Sequence, residues 1–513
     1  MPFSHIVKNS FNTGTVPSQD KIAKVCPVFK SGDKSSTNNY RPISLLPIFS
    51  KILEKLVANR LAEFLKRFQV LFKHQYGFQK GHSTEHPIIH FLNHIAEANN
   101  NGQFTIAIFC DLTKAFDTVN HSILFKKLHY YGIRGTSLDW FRSYLTNRKQ
   151  CVSIGTSLSS FRPIDIGVPQ GSVLGPILFL LYINDLPNAT NMLPFLFADD
   201  TTAVESGSNL PQLFEKVNLE FQKLGEWFRA NKLSLHPGKT KYSIFCNCEK
   251  KINNEDLNIF FNNNDIDSPI QNPDLIKPLE CVSHTSEIPA IKFLGLYIDQ
   301  FLNFKFHIKK ITSKLSSALF CLRRCKNILT DSTLKTLYFS MFHCHLIYAM
   351  LAWGSANKTS LDPIIKKQKA AIRLVSRAAY NAHTEPLFKK HGILRFEDQY
   401  IYAILEFMHT YTNSKLPISF DGIWVPNKVR FPATTGLRNA DELYVPRHRL
   451  KFASRFPLHL FPKTWNDFID LELKSTTSAN TFKLGLKSFF LNDLASEVRC
   501  NRAFCRDCFP AQI

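Results

Sequence analysis

Three acidic residues lie in apolar surroundings, where a carboxylate is costly unless it has a use. Asp111 closes the apolar run FTIAIFCDL (104–112), and Asp199 and Asp200 interrupt PFLFADDTTAV (194–204). Adjacent carboxylates repel one another, and hard divalent cations with oxygen ligands, Mg²⁺ above all, neutralise them. Two such ions about 4 Å apart can activate a hydroxyl and stabilise a leaving oxygen in phosphoryl transfer. Taken alone, Asp199 and Asp200 would be interpreted as the filling of a polar turn, since aspartate favours turns.

The segments around these acids predict the elements that position them. Residues 104–112 are short and rich in apolar side chains, which predicts a buried strand that ends at Asp111. A helix is expected from about Ala115 to Tyr131, where Gly132 supplies a stop signal. Residues 194–204 form two apolar runs that meet at the acids, which predicts a β-hairpin with the carboxylates at its tip.

The rest of the chain divides into a mixed first part and a helical second part. The first part has strand-like residues at 21–29 and 291–298, a helix after Pro47, and an Asn-rich stretch at 253–289 that predicts a loop or insertion. After Phe301 the pattern is that of amphipathic helices, with an apolar stripe at Ile308, Ile311, Leu315, Leu319 and Leu322. A second basic helix is expected to begin at Asp362–Pro363. The fold class is therefore α+β for about 300 residues and mainly helical afterwards.

Charge and composition narrow the class of protein. The 513 residues carry a net charge of +22, and residues 301–380 contribute 14 basic against 2 acidic side chains, which favours a polyanionic partner over ordinary surface solvation. No run is long and apolar enough to span a membrane, and no secretory signal is recognisable. The 12 scattered cysteines indicate reduced thiols, so an intracellular protein of the nucleus or cytoplasm is expected.

The last three cysteines form only part of a metal site. Cys500, Cys505 and Cys508 have zinc-like spacing, but zinc needs four ligands and only His459, far back in the chain, could supply the fourth. Unliganded thiols are the expectation. The first residues resemble no domain of their own, so a piece of a longer protein is also expected.

Five motifs in order resemble the reverse transcriptases of non-LTR (LINE-type) retrotransposons, in particular the jockey-like elements. FCDLTKAFDTV, GVPQGSVLGPILFLLYINDL and FADD are similar to the first three palm motifs of that family. LSLHPGKTK and KFLGLYID are similar to the fourth and fifth, and NNYRPISLLPIFSKILEK and HQYGFQKGHST to its fingers segments. The resemblance runs from about Val16 to at least Tyr400.

The resemblance implies roles for individual residues. It makes Asp111, Asp199 and Asp200 the metal-binding catalytic acids. Phe116 would lie beneath the ribose and exclude a 2′-hydroxyl, the alternative being simple core packing. The remaining implied residues are Lys30 and Arg41 for the triphosphate, Gln170 and Gly171 for nucleotide and template, Lys239 (or Lys241) as proton donor to pyrophosphate, and Phe293, Leu294 and Gly295 as primer grip. Asp117 also belongs to the motif, but a helix-start acid facing the helix dipole is its expected role.

The implied protein is an RNA-directed DNA polymerase with a right-hand architecture. Fingers and palm would occupy 12–299 and a helical, basic thumb and C-terminal region 300–513, with two Mg²⁺ ions (or Mn²⁺) as cofactors. Its partners would be an RNA template, a DNA primer or nicked target DNA, and deoxynucleoside triphosphates, without a membrane; the oligomeric state stays open. Two alternatives remain: an inactive nucleic-acid-binding remnant of a truncated element, and an RNA-dependent RNA polymerase, against which Phe116 argues. No upstream endonuclease is recognisable in these 513 residues.

Overall fold

A computed structural model describes residues 2–236, 238–246, 257–262, 276–282, 290–432, 439–468 and 471–493. Cys500, Cys505 and Cys508 lie outside the described residues, so the expectation for them stays a prediction. No helix among the described residues is both long and apolar enough to cross a membrane.

The first part of the chain mixes strands and helices. Its helices are α1 (Pro2–Thr13), α2 (Ile48–Arg67), α3 (Glu85–Asn100), α4 (His121–Tyr130), α5 (Thr136–Leu145), α6 (Gly175–Ile183) and α7 (Leu210–Ala230). Its strands are β1 (Ile22–Phe29), β2 (Tyr40–Leu45), β3 (Phe104–Cys110), β4 (Arg148–Ile154), β5 (Ser157–Leu158), β6 (Arg162–Ile164), β7 (Leu193–Phe197), β8 (Asp200–Gly207), β9 (Lys241–Phe245), β10 (Phe260–Asn262), β11 (Ile276–Pro278), β12 (Glu280–Cys281), β13 (Ile291–Phe293) and β14 (Leu296–Ile298).

The strands form two larger sheets. The fingers sheet has the order β2-β1-β4-β5, with β6 beside β4. The palm sheet has the order β12-β9-β3-β8-β7, with β3 antiparallel to both of its neighbours. Along β3 the side chains alternate between faces, since Ile106 and Ile108 join one apolar core and Ala107 joins the other. The palm sheet is thus covered on both faces, and this holds the end of β3 rigidly.

The helical part follows β14. It contains α8 (Lys305–Cys325), α9 (Asp331–Leu337), a π-helical turn at Tyr338–His343, α10 (Cys344–Ile347), α11 (Met350–Trp353), α12 (Lys358–Val375), α13 (Glu385–His391), α14 (Phe396–Thr412), α15 (Asn427–Arg430), α16 (Pro457–Asp467), α17 (Leu471–Ser475) and α18 (Ala479–Asp493). The predicted stripe of α8 is confirmed, because Ile308, Ile311, Leu315 and Leu322 are buried and Leu319 packs against the same core. That core continues without interruption from α3 into the helical part. The boundary at 299/300 stays a prediction.

Three local predictions are corrected. The helix expected from Ala115 to Tyr131 is divided into a 3₁₀ turn, Ala115–Asp117, and α4, because the Asn120 side chain accepts from the Ile123 amide at 3.1 Å and caps a new helix start. Residues 291–298 are a hairpin, β13–β14, rather than one strand, with Leu294 and Gly295 at positive φ in its turn. Helix α12 begins at Lys358, so Pro363 lies inside it.

The Asn-rich stretch 253–289 is only partly described. Within it, β10 and β11 pair with each other and β12 extends the palm sheet beside β9. The stretch is therefore not loop throughout. Backbone pairing recruits short segments that show no hydrophobic period of their own.

Candidate active site

The three acids meet at one end of the palm sheet. Cys110 of β3 pairs with Thr201 of β8, so Asp111 and Asp200 are the next residues on adjacent strands. The chain turns between β7 and β8 through Ala198, at φ 57°, which confirms the predicted hairpin with Asp199 and Asp200 at its tip. Asp111 is fixed through its backbone: its amide donates to Thr240 Oγ1 at 3.2 Å, and its carbonyl accepts from the His236 amide at 2.8 Å.

The pKa values of Asp199 and Asp200 are raised above those of ordinary aspartates. Burial raises the pKa of Asp199, and the charge of Asp111 adds to the effect. Burial, then repulsion from Asp199 and Asp111, raises the pKa of Asp200 to about 6, although part of this residue remains accessible to solvent. An approaching cation would relieve both effects, because it stabilises the charged form of each group.

Basic side chains from the fingers face these acids. The positive charges of Lys30 and Arg41 act on Asp199 and lower its pKa, in opposition to burial. The positive charge of Lys292, on the β13–β14 hairpin, lowers the pKa of Asp200 in the same way. Lys30 and Arg41 are exposed, so their side chains are available to an anionic ligand at the acids.

The donor set suits a hard cation whose remaining ligands come from elsewhere. Among the described residues, no group of three or more His, Cys, Asp or Glu side chains is arranged to hold a metal ion by itself. Carboxylate oxygens that depend on water and substrate phosphate to complete the coordination are typical of Mg²⁺ sites. The acids present therefore fit a divalent ion that enters with a phosphate ligand.

Lys239 and Lys241, the two candidates for the proton donor to pyrophosphate, have different ion-pair partners. Lys239 Nζ lies 3.6 Å from Asp111 Oδ2, and both side chains remain exposed. Lys241 Nζ is 2.6 Å from Glu280 Oε2 and is held in that ion pair. Lys239 is the lysine at the acids.

Phe116 is held between other aromatic rings. It stacks on Phe179, with ring centroids 4.5 Å apart and an interplanar angle of 27°, and its ring is nearly perpendicular to that of Phe78 at 6.1 Å. One part of Phe116 is buried and the rest is accessible. The ring is thus held by two aromatic neighbours and is still partly accessible, five residues after Asp111.

Asp117 has a partner that the sequence pattern did not indicate. The Gln170 amide donates to both carboxylate oxygens of Asp117, at 2.9 and 3.0 Å. The expectation that Asp117 is only a helix-start acid is therefore wrong, because no α-helix begins there and its carboxylate orients Gln170.

Gly171 allows the fingers to lie directly against this turn. Its φ is +113°, and a Cβ at this position would lie 2.7 Å from the Ser44 carbonyl oxygen. The Ser44 amide in turn donates to the Gln170 carbonyl at 2.7 Å. Any other residue at 171 would separate β2 from the turn.

The β13–β14 hairpin buries Phe293 and leaves its turn partly accessible. Phe293 is 4% exposed and packs against Phe91 and Phe109, so its side chain belongs to the core, whereas Leu294 and Gly295 are partly accessible. The Tyr348 hydroxyl, from the helical part, donates to the Leu294 carbonyl. A Cβ on Gly295 would lie 2.9 Å from the Tyr348 hydroxyl, so this tyrosine covers the turn closely.

The sequence did not predict which residues support the β7–β8 hairpin that carries Asp199 and Asp200. Residues 74–77 run beside β7, and the buried Gln75 side chain accepts from the amides of Gly77 and Ala198 at 2.9 and 3.1 Å. A Cβ on Gly77 would collide with the Ala198 backbone. The motif that contains them, HQYGFQKGHST, resembles a fingers segment, and nothing in its pattern indicates contact with residue 198.

The comparisons with known proteins agree with these motifs. Residues 30–298 match the family described as reverse transcriptase (RNA-dependent DNA polymerase). The probable RNA-directed DNA polymerase from transposon BS of Drosophila melanogaster is 30% identical over 402 residues, which are 75% of this chain and 41% of that protein. The RNA-directed DNA polymerase from mobile element jockey of the same species is 27% identical over 403 residues, with the same coverage of 75% and 41%.

Solved structures were compared as well. The telomerase of Candida albicans, in complex with a fragment of telomeric RNA, is 12% identical, with a TM-score of 0.38 and coverage of 80% of this chain and 62% of that chain. The apo telomerase of Candida tropicalis is also 12% identical, with a TM-score of 0.39 and coverage of 82% and 70%.

The family match covers more than half of the chain, whereas the chain spans about two fifths of the length of the curated relatives. The predicted fold class, α+β followed by a mainly helical region, is confirmed. With five motifs in order and their acids at one end of the palm sheet, this chain belongs to the reverse transcriptase (RNA-dependent DNA polymerase) family.

Proposed function

We propose that this chain is an RNA-directed DNA polymerase that adds deoxynucleotides to a primer 3′-hydroxyl. The observation that carries the proposal is the meeting of Asp111, Asp199 and Asp200 at one sheet end, where burial and mutual repulsion raise the carboxyl pKa values of Asp199 and Asp200. Such a group favours the arrival of divalent cations, and polymerisation requires them where the α-phosphate is attacked.

Asp111 and Asp199 would hold two Mg²⁺ ions, with Asp200 assisting and Mn²⁺ as a substitute. When bound, the ions lower the pKa of the primer hydroxyl and stabilise the charge on the leaving pyrophosphate. The Asp111 carboxylate is supported for this role by backbone bonds to Thr240 and His236, which keep the strand end from shifting.

The cations around the acids would bind the triphosphate. Lys30 and Arg41 approach from the fingers, and their charges already act on Asp199. Lys239, close to Asp111, would donate a proton to the departing pyrophosphate. Gln170 and Gly171 would contact the nucleotide and template, and Leu294 and Gly295, with the Phe293 backbone, would support the primer end.

The template and primer would lie along the basic helices. Residues 301–380 carry 14 basic and 2 acidic side chains, a surplus suited to the phosphates of an A-form RNA–DNA duplex. An RNA template, a DNA primer or nicked target DNA, and deoxynucleoside triphosphates are the proposed partners. We place the protein inside the cell, in the nucleus or cytoplasm, on its scattered cysteines alone.

The proposal predicts that Asp199→Asn abolishes primer extension. The amide keeps the shape of the side chain but loses a charged oxygen ligand, so extension should fall by at least about a thousand-fold while duplex binding stays near the parent value. The measurement is extension of a DNA primer on an RNA template by the purified chain, with duplex binding followed separately by fluorescence anisotropy.

Asp139→Asn is the matched control, since Asp139 is an exposed aspartate on α5. It should extend primers like the parent. Extension by Asp199→Asn at a tenth of the parent rate would contradict the metal-ligand role. A parent protein that binds the duplex but never extends it would favour the inactive remnant.

A further inference from the structure

Glu54 is a buried carboxylate with no part in the proposed chemistry. It lies on α2 and is 1% exposed. In the part of the chain that the structure describes, no lysine, arginine or histidine forms an ion pair with it. A buried carboxylate without a cation must be stabilised by hydrogen bonds, so the groups that donate to it are informative.

Its partners are backbone amides of the segment that leads into α6. Glu54 Oε2 accepts from the Val173 amide at 2.6 Å and from the Leu174 amide at 3.4 Å. Its other oxygen accepts from Ser50 Oγ at 3.1 Å. Because α6 begins at Gly175, these are amides that no helical carbonyl can reach, and the helix dipole adds to the attraction for a negative charge.

The same segment carries Gln170 and Gly171. The Val168 amide donates to the Phe116 carbonyl at 2.8 Å, and Gln170 is held by Asp117. The Ser172 hydroxyl donates to the Pro169 carbonyl at 2.8 Å and accepts from the Gly175 amide at 2.9 Å, which makes the turn one compact unit.

This unit is attached to the palm on one side and to the fingers on the other. On the fingers side, the Ser44 amide donates to the Gln170 carbonyl at 2.7 Å, and Glu54 binds the amides three and four residues further on. Without Glu54, the turn would lose the bonds at its Val173 and Leu174 amides, next to the start of α6.

We infer that Glu54 is a positioning residue, which acts through the 168–174 turn to set Gln170 and Gly171 against the incoming nucleotide. The inference rests on the proposed function for its kinetic consequence. A carboxylate suits this position because both of its oxygens accept and its negative charge strengthens the bonds from the Val173 and Leu174 amides, whereas glutamine keeps one accepting oxygen and loses the charge.

The first test is the substitution Glu54→Gln, with Glu63→Gln as the matched control on the exposed face of α2. Glu54→Gln should lower kcat/KM for the deoxynucleotide about ten-fold or more, while the dissociation constant of the template–primer stays within about two-fold. Glu63→Gln should match the parent. Combined with Gln170→Ala, the effect of Glu54→Gln should largely disappear, because both changes act on one contact to the nucleotide.

The second test needs no activity. Hydrogen exchange at the Ser44 amide, which donates to Gln170 rather than to Glu54, should become faster in Glu54→Gln and stay unchanged in Glu63→Gln. If the parent protein extends no primer, the proposed function is wrong. The exchange rate of the Ser44 amide would still test whether Glu54 positions the turn. If Glu54→Gln lowers only the melting temperature, with parental kinetics in the folded protein and parental exchange at Ser44, the inference is overturned.

Discussion

Phe116 shows how one side chain can be both packed and functional. Its stacking on Phe179 and its edge contact with Phe78 fix the ring, and Phe116 remains partly accessible. A fixed ring cannot move away from an added hydroxyl. Overlap in a packed site costs about 1–3 kcal/mol, which corresponds to roughly ten- to hundred-fold discrimination.

Phe116→Ala should therefore raise the use of ribonucleotides relative to deoxyribonucleotides, and Phe116→Val should raise it less. Deoxyribonucleotide use should fall too, because the ring also supports the sugar by packing. The measurement is the ratio of kcat/KM for the two sugars on one RNA template. If both values fall equally and the ratio stays at that of the parent, Phe116 is a core residue only.

Helix α12 separates a buried face from a basic one. Leu361, Ile364 and Ile372 are fully or nearly fully buried against the core shared with α8, while Lys366 and Lys369 are exposed and Lys367 is half-buried. Apolar packing thus fixes which way the lysines point. The early start of the helix at Lys358 adds a turn ahead of this basic face, and the missing amide of Pro363 lies at an exposed position.

Replacing Lys366, Lys367 and Lys369 together with Gln should weaken template–primer binding and flatten its salt dependence. The expected change is up to about 0.9 in the slope of log K against log salt for each phosphate group that a lysine no longer neutralises. Binding of one RNA–DNA duplex across a salt series measures it.

A control with the same reduction in charge separates direct phosphate binding from net charge. Lys8, Lys126 and Lys232 are exposed lysines elsewhere in the chain, and their joint replacement with Gln should leave the slope near that of the parent. Equal slopes for the two triple variants would mean that the α12 lysines only solvate their helix.

At the scale of the whole molecule, α3 joins the palm to the C-terminal helices. Its buried His90 lies against Phe420, with ring centroids 4.0 Å apart, and His74 and His86 are close by. Burial, with a smaller contribution from neighbouring histidines or Lys73, lowers the pKa of His74 and of His86 to about 4 and that of His90 to about 3. All three side chains are therefore neutral in the folded protein at neutral pH.

These histidines predict a loss of stability in mild acid. Their folded pKa values lie below the unfolded value of about 6.5, so their contribution is complete above that pH and is lost as the pH falls towards 4, by up to about 1.4 kcal/mol per pH unit for each group. The melting temperature should fall between pH 6.5 and 5. His90→Leu should reduce that fall, because it removes a group that becomes charged on unfolding.

His129→Leu, at an exposed position on α4, serves as the control and should leave the pH dependence unchanged. Melting curves for the parent and both variants from pH 5 to 7.5 give the comparison. A pH dependence in His90→Leu identical to that of the parent would show that the cluster at α3 does not limit stability in acid.

Local sequence determined the parts of this protein that depend on neighbouring residues. The strand that ends at Asp111, the hairpin that carries Asp199 and Asp200, and the apolar stripe of α8 all follow from period and turn chemistry, and the structure has each of them. The acids were recognisable because a carboxylate in an apolar run is costly to bury unless a cation or hydrogen bonds stabilise it. The order of the motifs then identified the family.

Tertiary structure decided the partners that lie far apart in the chain. Asp117 and Gln170 are 53 residues apart, and Glu54 and Val173 are 119 apart, and no periodicity relates them. The interruption at Thr118–Asn120 likewise depended on a capping bond that competes with a continuous helix. Helix α3 contains His86, His90 and Asn93, yet it is buried on almost every side because both the palm and the C-terminal helices pack on it. The hydrogen-bond partners of these polar groups are determined only when the palm and the C-terminal helices pack together. The free energy of each such bond depends on the burial that the whole fold provides.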